Sequence, residues 1–232
     1  MTSIFERVMQ KEYDAWGHTP PDHAWCGADQ TQVEVRFLQQ ALSLSPEHTI
    51  LDLYCSWGRH AAALTQLGYR VIGVDISRPM LTAAKQNALG NNAAFVKADV
   101  KGLPFTAALD IIYAVQSSAF EAWRTPEEIL HYLRCVHRAL KLGGHYLFGW
   151  PDNWNRADVA ESRWRHTLAD EQDIAPEDVA LQFHFYGFDE QVSLLERVGF
   201  RVTKTWNTYD DVHADYQKEQ PGLIILANTV GL

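Results

Sequence analysis

The stretch that decides the fold runs from residue 49 to residue 77 and reads TILDLYCSWGRHAAALTQLGYRVIGVDIS. Its first six residues form a short apolar run of the kind found in buried strands. Apolar residues then recur every three or four positions along a helix that Gly58 begins and Gly68 ends. YRVIGV is a second apolar run. The stretch therefore predicts a strand, a crossover helix and a second, parallel strand.

The same alternation continues toward the C-terminus. Because strands alternate with helices, we predict a doubly wound α/β fold, with a mostly parallel sheet and helices on both faces. The remaining strands are predicted at AAFVKA (93–98), LDIIYAV (109–115), GHYLFGW (144–150), FRVTKTW (200–206) and GLIILAN (222–228).

Capping residues predict where the helices begin and end. Ser77 is predicted to cap one helix. Thr125-Pro126-x-Glu128 combines an N-cap, a proline at the first helical position and a capping box, and its helix is predicted to run to Gly143-Gly144. Asp189 is predicted to cap a helix that ends at Gly199.

The N-terminal part has a different character. Ser3-x-x-Glu6 and Thr31-x-x-Glu34 both have capping-box spacing, so we predict two helices separated by the loop GHTPPDHAWCGAD. With no repeat or linker in the sequence, we expect one domain. It consists of a helical cap over residues 1–48 and a core over 49–232, with a substrate-side insertion at 151–187.

Composition limits the function classes. The chain has 232 residues, 47% hydrophobic content and a net charge of −9, from 29 acidic and 20 basic residues. This charge disfavours a nucleic-acid substrate. No apolar run approaches the roughly 20 residues that a membrane span needs, so we expect a cytoplasmic protein with no membrane partner. Cys26, Cys55 and Cys135 form no CxxC, and no second ligand pair accompanies His23-x-x-Cys26, so we expect reduced thiols and no metal site.

Acidic residues follow three successive predicted strands. Asp52, Asp75 and Asp99 therefore come together in one crevice at the carboxyl edge of the sheet. Asp75 follows Asp52 by roughly the 20 residues that suit an acceptor for ribose hydroxyls. The GxGxxG fingerprint for a pyrophosphate is missing, which favours a nucleoside cofactor without one and disfavours a nicotinamide-dependent dehydrogenase. Asp75 could instead cap the next helix, although Ser77 already does so, and Asp99 could be a loop acid.

Taken together and in order, these motifs resemble those of class I S-adenosylmethionine-dependent methyltransferases. The resemblance covers residues 49 to about 150, and the last two predicted strands are also similar to the family's. It implies a Rossmann-like fold of seven strands, mostly parallel with the last one antiparallel, and S-adenosylmethionine as cofactor. The segments that carry it are ILDLYCSWGRHAAAL, VIGVDIS, KADVKGLPF, LDIIYAV and ALKLGGHYL.

The resemblance also implies roles for individual residues. The turn from Asp52 to Gly58 would hold the methionine part, Asp75 both ribose hydroxyls, and Asp99 with the Val100 amide the adenine edge. Gln116 lies where the family lines the sulfonium. The residues expected at the cofactor are Tyr13, Asp52, Tyr54, Ser56, Trp57, Gly58, Asp75, Ile76, Asp99, Val100 and Gln116. For Tyr13, a hydrogen bond to the cofactor carboxylate and simple packing on its helix are both open.

The turn departs from the family pattern at three positions. Tyr54 and Ser56 stand where the family usually has glycine, and Trp57 where it usually has a small residue. A tyrosine at 54 fits if it keeps the strand conformation, whereas the Cβ of Ser56 narrows the space beside the cofactor. Trp57 either forms a wall of the pocket or marks a pocket that no longer methylates. The retention of Gly58 with all three acids favours the wall.

Aromatic residues are concentrated in the segments that should select the acceptor. Residues 1–30, 150–187 and 207–221 hold five of the eight tryptophans. This composition suits an apolar, aromatic or cationic acceptor, but ordinary packing explains it equally well. The residues expected to bind substrate are Trp16, Phe120, Trp150 and Tyr209.

The function that these observations favour is methylation of a small molecule at nitrogen or oxygen. Because methyl transfer is a displacement at an already activated sulfonium, the protein contributes mainly alignment and the exclusion of water, and we assign no catalytic residue. A cofactor-binding protein without catalysis, acting as a sensor or partner subunit, is the alternative that the departures at the turn keep open.

Overall fold

The computed structural model describes residues 27–88, 93–116, 125–150, 186–220 and 222–231. Helices and strands alternate along these residues as the sequence predicts. The helices are α1 (Ala28–Ala41), α2 (Arg59–Gln66), α3 (Arg78–Asn87), α4 (Pro126–Ala139) and α5 (Phe188–Glu196). The strands are β1 (Thr49–Leu53), β2 (Arg70–Asp75), β3 (Ala94–Lys97), β4 (Leu109–Val115), β5 (Leu140–Trp150), β6 (Phe200–Trp206) and β7 (Leu223–Thr229).

The strands form one seven-stranded sheet in the order β3-β2-β1-β4-β5-β7-β6. The pairs from β3 through β5 are parallel, whereas β7 runs antiparallel to both β5 and β6. The predicted class and the antiparallel last strand are confirmed. The strand order reverses between β1 and β4, and in open α/β sheets ligands bind beyond the carboxyl ends of the strands at such a point.

Both faces of the sheet are covered. Because successive residues of a strand point to opposite faces, Leu51 joins the core under α4 and α5, while Ile50 joins the core under α1 and α2. Burial on both faces explains why the strands read as continuous apolar runs rather than alternating ones. The sheet is therefore a rigid base for the loops at its carboxyl edge.

Two helix starts agree with the predicted caps. The Ser77 hydroxyl accepts a hydrogen bond from the Met80 amide at 3.3 Å. At α4, Thr125 Oγ1 accepts from the Glu128 amide and Glu128 Oε2 accepts from the Thr125 amide, both at 3.2 Å. Each cap satisfies amide donors that the first helical turn leaves free.

Two other predicted starts are wrong. Helix α1 begins at Ala28, and Thr31 lies inside its first turn with Oγ1 donating to the Gly27 carbonyl at 2.9 Å. Helix α5 begins after Gly187, whose amide donates to Glu190 Oε2 at 2.9 Å, so Asp189 is not its N-cap. In both cases the cap position belongs to a glycine upstream, and glycine is also tolerated at N-caps.

The predicted end of α4 is also wrong. The helix stops at Ala139, and β5 begins at Leu140, before the glycine pair. The pairing of β5 with β4 shifts in register across this pair. Gly143 has a φ of +78°, and a Cβ on Gly144 would lie 2.9 Å from the Lys141 carbonyl oxygen. The two glycines therefore allow β5 to begin with an irregular conformation, and they do not end the helix.

The first predicted helix and most of the 151–187 insertion lie outside the described residues. In the described part of the chain, no helix is long and apolar enough to cross a membrane. The single-domain organisation stays a prediction.

Candidate functional site

The turn after β1 is strained at positions where side chains are present. Tyr54 and Ser56 have φ values of +62° and +50°, and Gly58 has +73°. Tyr54 therefore does not keep the strand conformation, which was the condition for a tyrosine to fit there without strain. A left-handed conformation costs a non-glycine residue roughly 1–2 kcal/mol. The Tyr54 ring packs in the core beside Tyr132, with the ring centroids 6.3 Å apart, which helps to hold the turn in place.

Gly58 is the one residue of the turn that packing also requires to be glycine. A Cβ there would lie 2.8 Å from the Ala84 Cβ and 3.0 Å from the Phe95 ring. This close approach fixes the start of α2 against α3 and β3. It brings the turn directly over the carboxyl end of β2, which ends in Asp75.

Asp75 ties the turn to the start of α3. Its Oδ2 accepts from the Ser56 amide at 3.0 Å and its Oδ1 accepts from the Ser77 amide at 2.8 Å. These two contacts orient the carboxylate between the turn and the start of α3. Ile76 follows with half of its surface exposed, which is unusual for a large apolar side chain. An oriented carboxylate beside an exposed apolar side chain suits the sugar and base of a nucleoside.

Asp99 lies at the tip of β3. It is exposed and caps a short 3-10 helix, with Oδ1 accepting from the Lys101 amide at 2.8 Å, while Val100 is buried. The cap accounts for the conformation of Asp99 and leaves its predicted adenine contact a prediction.

Asp52 is buried, unlike the other two acids. It is 3% exposed, and its Oδ2 has no hydrogen-bond partner within the described residues. Burial raises the pKa of Asp52 to about 7, against the opposing effects of the Tyr113 hydroxyl and the Arg59 charge. A buried acceptor without a partner is costly, and the Tyr113 hydroxyl, which also has no hydrogen-bond partner among the described residues, is a donor that acts on Asp52.

A buried polar cluster, missed by the sequence reasoning, lies beside Asp52. Its centre is Glu34 of α1, which is 0% exposed. Glu34 Oε2 lies 2.5 Å from Arg59 Nη1 and 2.6 Å from His60 Nε2. Glu34 Oε1 accepts from Gln30 Nε2 at 3.0 Å and from Gln116 Nε2. We call Glu34, Arg59, His60 and Gln116 the Glu34 cluster.

The charges within the Glu34 cluster are balanced. Burial would raise the pKa of Glu34, but the hydrogen bond to His60 and the charge and hydrogen bond of Arg59 outweigh it, so the pKa is lowered. Burial and the Arg59 charge lower the pKa of His60, against the opposing effect of Glu34. Glu34 is therefore ionised at neutral pH, and a neutral His60 donates to it through Nε2.

Gln116 links the Glu34 cluster to the tips of the central strands. Its φ is +51°, and its amide donates to the Gly149 carbonyl at 3.0 Å and to the Tyr209 hydroxyl at 3.2 Å. The Tyr209 hydroxyl itself donates to Gly149 at 2.8 Å. Gln116 Oε1 is buried and accepts no hydrogen bond from the described residues. A strained residue with an unpaired acceptor is a marker of a ligand site.

A sequence signal for the Glu34 cluster existed but pointed elsewhere. Thr31 and Glu34 have capping-box spacing, which indicates a helix start, yet both side chains turn inward toward Arg59. Arg59 and His60 directly follow the glycine of the turn, which places them at the carboxyl edge. Charged residues there are functional candidates in their own right.

The part of the chain that the structure describes leaves out some predicted site residues. Tyr13, Trp16 and Phe120, together with the side chain of Trp150, lie outside the described residues. Tyr209 is 3% exposed with its hydroxyl engaged at the strand tips, and Trp57 is 8% exposed. The substrate role of Tyr209 and the wall formed by Trp57 stay predictions.

Cys55, one of the three cysteines of the sequence, is buried in the turn. The side chain is 5% exposed, and its sulfur lies 2.8 Å from where a Cβ on Gly73 would be. Burial raises the pKa of the Cys55 thiol well above its usual range, so it stays protonated and unreactive. In the described part of the chain, no group of three or more His, Cys, Asp or Glu residues could hold a metal ion.

The described residues fit the cofactor that the resemblance implies. Asp75 offers oriented acceptors for hydroxyls, and Ile76 offers an apolar surface for a base. Asp52 Oδ2 and Gln116 Oε1 are buried at the same edge and have no hydrogen-bond partner among the described residues. A nucleoside that carries an amino-acid group and a sulfonium matches this distribution of acceptors and apolar surface.

Residues 50–144 match the model of a methyltransferase domain family. The chain is 35% identical over 96 residues to the cypemycin N-terminal methyltransferase of a Streptomyces species, a match over 41% of this chain and 39% of the relative. It is 24% identical over 175 residues to the putative methyltransferase YqeM of Bacillus subtilis, over 74% of this chain and 68% of the relative. The chain thus spans well under half of the first of these relatives.

The fold is shared with solved structures. One is a chain in the complex between the Haloferax volcanii Trm112 methyltransferase activator and a putative methyltransferase, with a TM-score of 0.70 and 19% identity. The alignment covers 95% of this chain and 98% of that one.

Proposed function

We propose that this chain is a class I S-adenosylmethionine-dependent methyltransferase that methylates a small-molecule acceptor at nitrogen or oxygen. The observation that carries the proposal is the carboxyl edge of the sheet. There an oriented acid and an exposed isoleucine fit a nucleoside, and two buried oxygens without a hydrogen-bond partner among the described residues fit its cationic amino-acid end. When bound, S-adenosylmethionine supplies an activated methyl group, so the residues of the chain must align it and exclude water.

The residues divide into roles along that edge. Asp75, Ile76, Asp99 and Val100 would hold the nucleoside end. Asp52 and the turn from Tyr54 to Gly58 would hold the amino-acid end. Gln116, oriented by the hydrogen bond that its side-chain Nε2 donates to Glu34 Oε1, would line the space where the methyl group leaves. Trp57 would form part of the pocket wall.

Charge supports a small acceptor rather than a nucleic acid. A chain with a net charge of −9 and with Asp52, Asp75 and Asp99 around its site repels a phosphate backbone. The name of the Streptomyces relative specifies an N-terminal acceptor, which favours nitrogen over oxygen. The helical cap, the 151–187 insertion and the loop after β6 would select the acceptor, with Trp16, Phe120, Trp150 and Tyr209 in contact with it.

Labelled S-adenosylmethionine, incubated with the protein and separate small-molecule, protein and RNA fractions of a cell extract, tests the proposal. We expect label in the small-molecule fraction, with mass spectrometry placing the methyl group on nitrogen or oxygen. Asp75→Ala should abolish most of the transfer. The matched control Asp189→Ala, whose side chain is 84% exposed, should not change it. Label confined to the RNA or protein fraction would contradict the small-molecule acceptor.

A second candidate is a cofactor-binding protein without catalysis. The specific observation in its favour is the pair of non-glycine residues, Tyr54 and Ser56, held at positive φ in the turn. Tight binding of S-adenosylhomocysteine with no labelled product in any fraction would select it. Binding of NAD in place of S-adenosylhomocysteine would contradict both candidates.

A further inference from the structure

The loop after β6 is held in shape by side chains at its base. Because β7 runs antiparallel to both β5 and β6, β6 is parallel to β5 and this loop lies at the carboxyl edge of the sheet. Trp206 Nε1 donates to the Val212 carbonyl at 2.8 Å. Asn207 is buried, and its Nδ2 donates to the carbonyls of Gln217 and Gly222, each at 3.0 Å. The protein itself therefore fixes the described part of this loop.

Tyr209 is the residue through which the loop reaches the tips of the central strands. Its buried ring packs edge-on against Phe37 of α1, with the ring centroids 5.2 Å apart. The Trp206 ring packs edge-on against the same phenylalanine at 5.1 Å. The loop is thus docked on α1, the helix that also carries Glu34.

The Tyr209 hydroxyl joins the ends of β4 and β5. It donates to the Gly149 carbonyl at 2.8 Å and accepts from the Gln116 amide at 3.2 Å. The Gln116 amide also donates to the Gly149 carbonyl at 3.0 Å, so the three groups form a closed set of hydrogen bonds. A hydroxyl has one proton to donate, and here Gly149 receives it.

The carbonyl that receives this proton is a fixed point. Gly149 has a φ of +139°, and a Cβ there would overlap the Leu223 carbonyl at the start of β7. Only glycine allows β7 to approach β5 so closely. The packing of these two strands therefore sets the position of the carbonyl, and Tyr209 connects Gln116 to it.

Gln116 is held at both its backbone and its side chain. Its left-handed φ of +51° is unfavourable for a residue with a side chain and persists only where the surroundings hold it. Tyr209 and Gly149 hold the amide, and Glu34 Oε1 accepts from Nε2. The buried Oε1 is the end of the side chain that has no hydrogen-bond partner among the described residues. Its direction depends on both sets of contacts.

We propose that Tyr209 is a positioning residue for methyl transfer, whose hydroxyl keeps Gln116 in the left-handed conformation that fixes the direction of Oε1. One hydroxyl then connects the loop that would select the methyl acceptor to the residue that would line the methyl group. This inference rests on the proposed function, because it needs Gln116 at the place of transfer. It competes with the expectation that Tyr209 contacts the acceptor.

The test removes the hydroxyl and keeps the ring. Tyr209→Phe retains the packing on Phe37. The matched control Tyr69→Phe also loses a hydroxyl, which accepts from Gln39 Nε2 at 3.1 Å beside the start of β2, at the opposite edge of the sheet. Thermal unfolding checks that both variants are folded.

Three measurements are made on the wild type and on both variants. Two-dimensional NMR of isotope-labelled protein records the backbone and side-chain amide signals of Gln116. Calorimetry measures the affinity for S-adenosylhomocysteine. The initial rate of label transfer from S-adenosylmethionine is followed as the amount of the small-molecule fraction of a cell extract is raised, which separates the maximal rate from the half-saturating amount.

We expect Tyr209→Phe to shift both Gln116 signals and to lower the maximal rate roughly tenfold to a hundredfold, because a small misplacement at a reacting centre has an effect of about that size. The half-saturating amount of the fraction and the affinity for S-adenosylhomocysteine should stay as in the wild type, since the interaction acts on alignment and not on binding. Tyr69→Phe should match the wild type in all three measurements.

Several results would overturn the inference. Unchanged Gln116 signals in Tyr209→Phe would show that the hydroxyl does not hold this residue. A lower melting temperature with an unchanged maximal rate would leave Tyr209 a packing role only. A higher half-saturating amount at an unchanged maximal rate would mean that Tyr209 contacts the acceptor. A wild-type protein that transfers no label would overturn the proposed function and this inference with it, whereas equal transfer by the wild type and Tyr209→Phe would overturn the inference alone.

Discussion

The two sides of the carboxyl edge hold their acids in different ways. On the side of β2 and β3, Asp75 and Asp99 are partly or fully exposed and accept from nearby backbone amides. On the side of β1 and β4, Glu34 and Asp52 are buried. Glu34 is surrounded by donor side chains from distant parts of the chain, while Asp52 has one oxygen without a hydrogen-bond partner in the part of the chain that the structure describes.

We call the side of β2 and β3 the open side and the side of β1 and β4 the closed side. The difference between them predicts that substitutions on the open side change ligand affinity and that substitutions on the closed side change the stability of the fold. The open β2–β3 side can lose an acid without exposing a buried charge, so changes there should affect ligand affinity first. The closed β1–β4 side joins α1, α2 and β4 through one carboxylate, so changes there should affect the folded state first. The predictions that follow test this separation, beginning with the largest expected effect.

Glu34→Ala should destabilise the protein most. It removes the partner of Arg59 and His60 and leaves a buried cation without compensation, a change that costs about 3–5 kcal/mol. Chemical denaturation measures the free energy of unfolding. The control is Asp99→Ala on the open side, where the loss of one helix-cap bond should cost about 1 kcal/mol. Equal losses in the two variants would show that the closed side is not the more important for stability.

Asp52→Asn should change how stability depends on pH. Because folding raises the pKa of Asp52 from 3.8 to about 7, the native state holds this proton more tightly than the unfolded chain. The stabilising contribution of protonated Asp52 to the folded state is therefore complete below about pH 4 and is lost as the pH rises to about 7. We expect the stability of Asp52→Asn, relative to wild type, to rise by about 3 kcal/mol between pH 5 and pH 8.

Denaturation at the two pH values measures this difference. Asp110→Asn is the matched control at the opposite end of the sheet. There the hydrogen bond and charge of Lys141 outweigh burial and hold the pKa of Asp110 below its usual value. Its relative stability should not change between pH 5 and pH 8. If the stability of Asp52→Asn relative to wild type were also the same at both pH values, Asp52 would be ionised throughout this range.

Asp75→Ala should weaken cofactor binding more than it weakens the fold. Hydrogen bonds to a charged group contribute about 1.5–3 kcal/mol, so the dissociation constant for S-adenosylhomocysteine should rise at least roughly tenfold. Calorimetry measures the affinity, with Asp189→Ala as the exposed control. Unchanged affinity in folded Asp75→Ala would show that the ribose binds elsewhere and that the open side does not bind the cofactor.

Ser56→Gly should have the smallest effect, a gain in stability. The residue lies in the turn between the two sides at a φ of +50°, which glycine adopts without strain. The gain is expected to be at most about 1 kcal/mol, because glycine also makes the unfolded chain more flexible. Thermal unfolding against Ser56→Ala, which keeps the strain, measures it. A lower melting temperature for the glycine variant than for the alanine variant would contradict strain at this position.

Features that depend on near neighbours were predictable from the sequence. The strands from β1 to β7 follow from apolar runs, and the caps at Ser77 and Thr125 follow from side chains that reach amides three residues away. The wrong predictions at Thr31 and Asp189 have the same basis, because a capping pattern does not show which of several nearby residues will begin the helix. The sequence left the conformation of Tyr54 open, and the structure shows a positive φ there despite the large side chain.

The sequence by itself determined the doubly wound fold and the open side of the site, because acids that directly follow parallel strands must meet at one edge of the sheet. Only the tertiary structure decided the closed side. Glu34 meets His60 across 26 residues and Gln116 across 82, and no periodicity or cap relates positions so far apart. Their meeting depends on how α1 packs against α2 and the sheet. Burial at that contact turns an ordinary helical glutamate into the centre of a charged cluster.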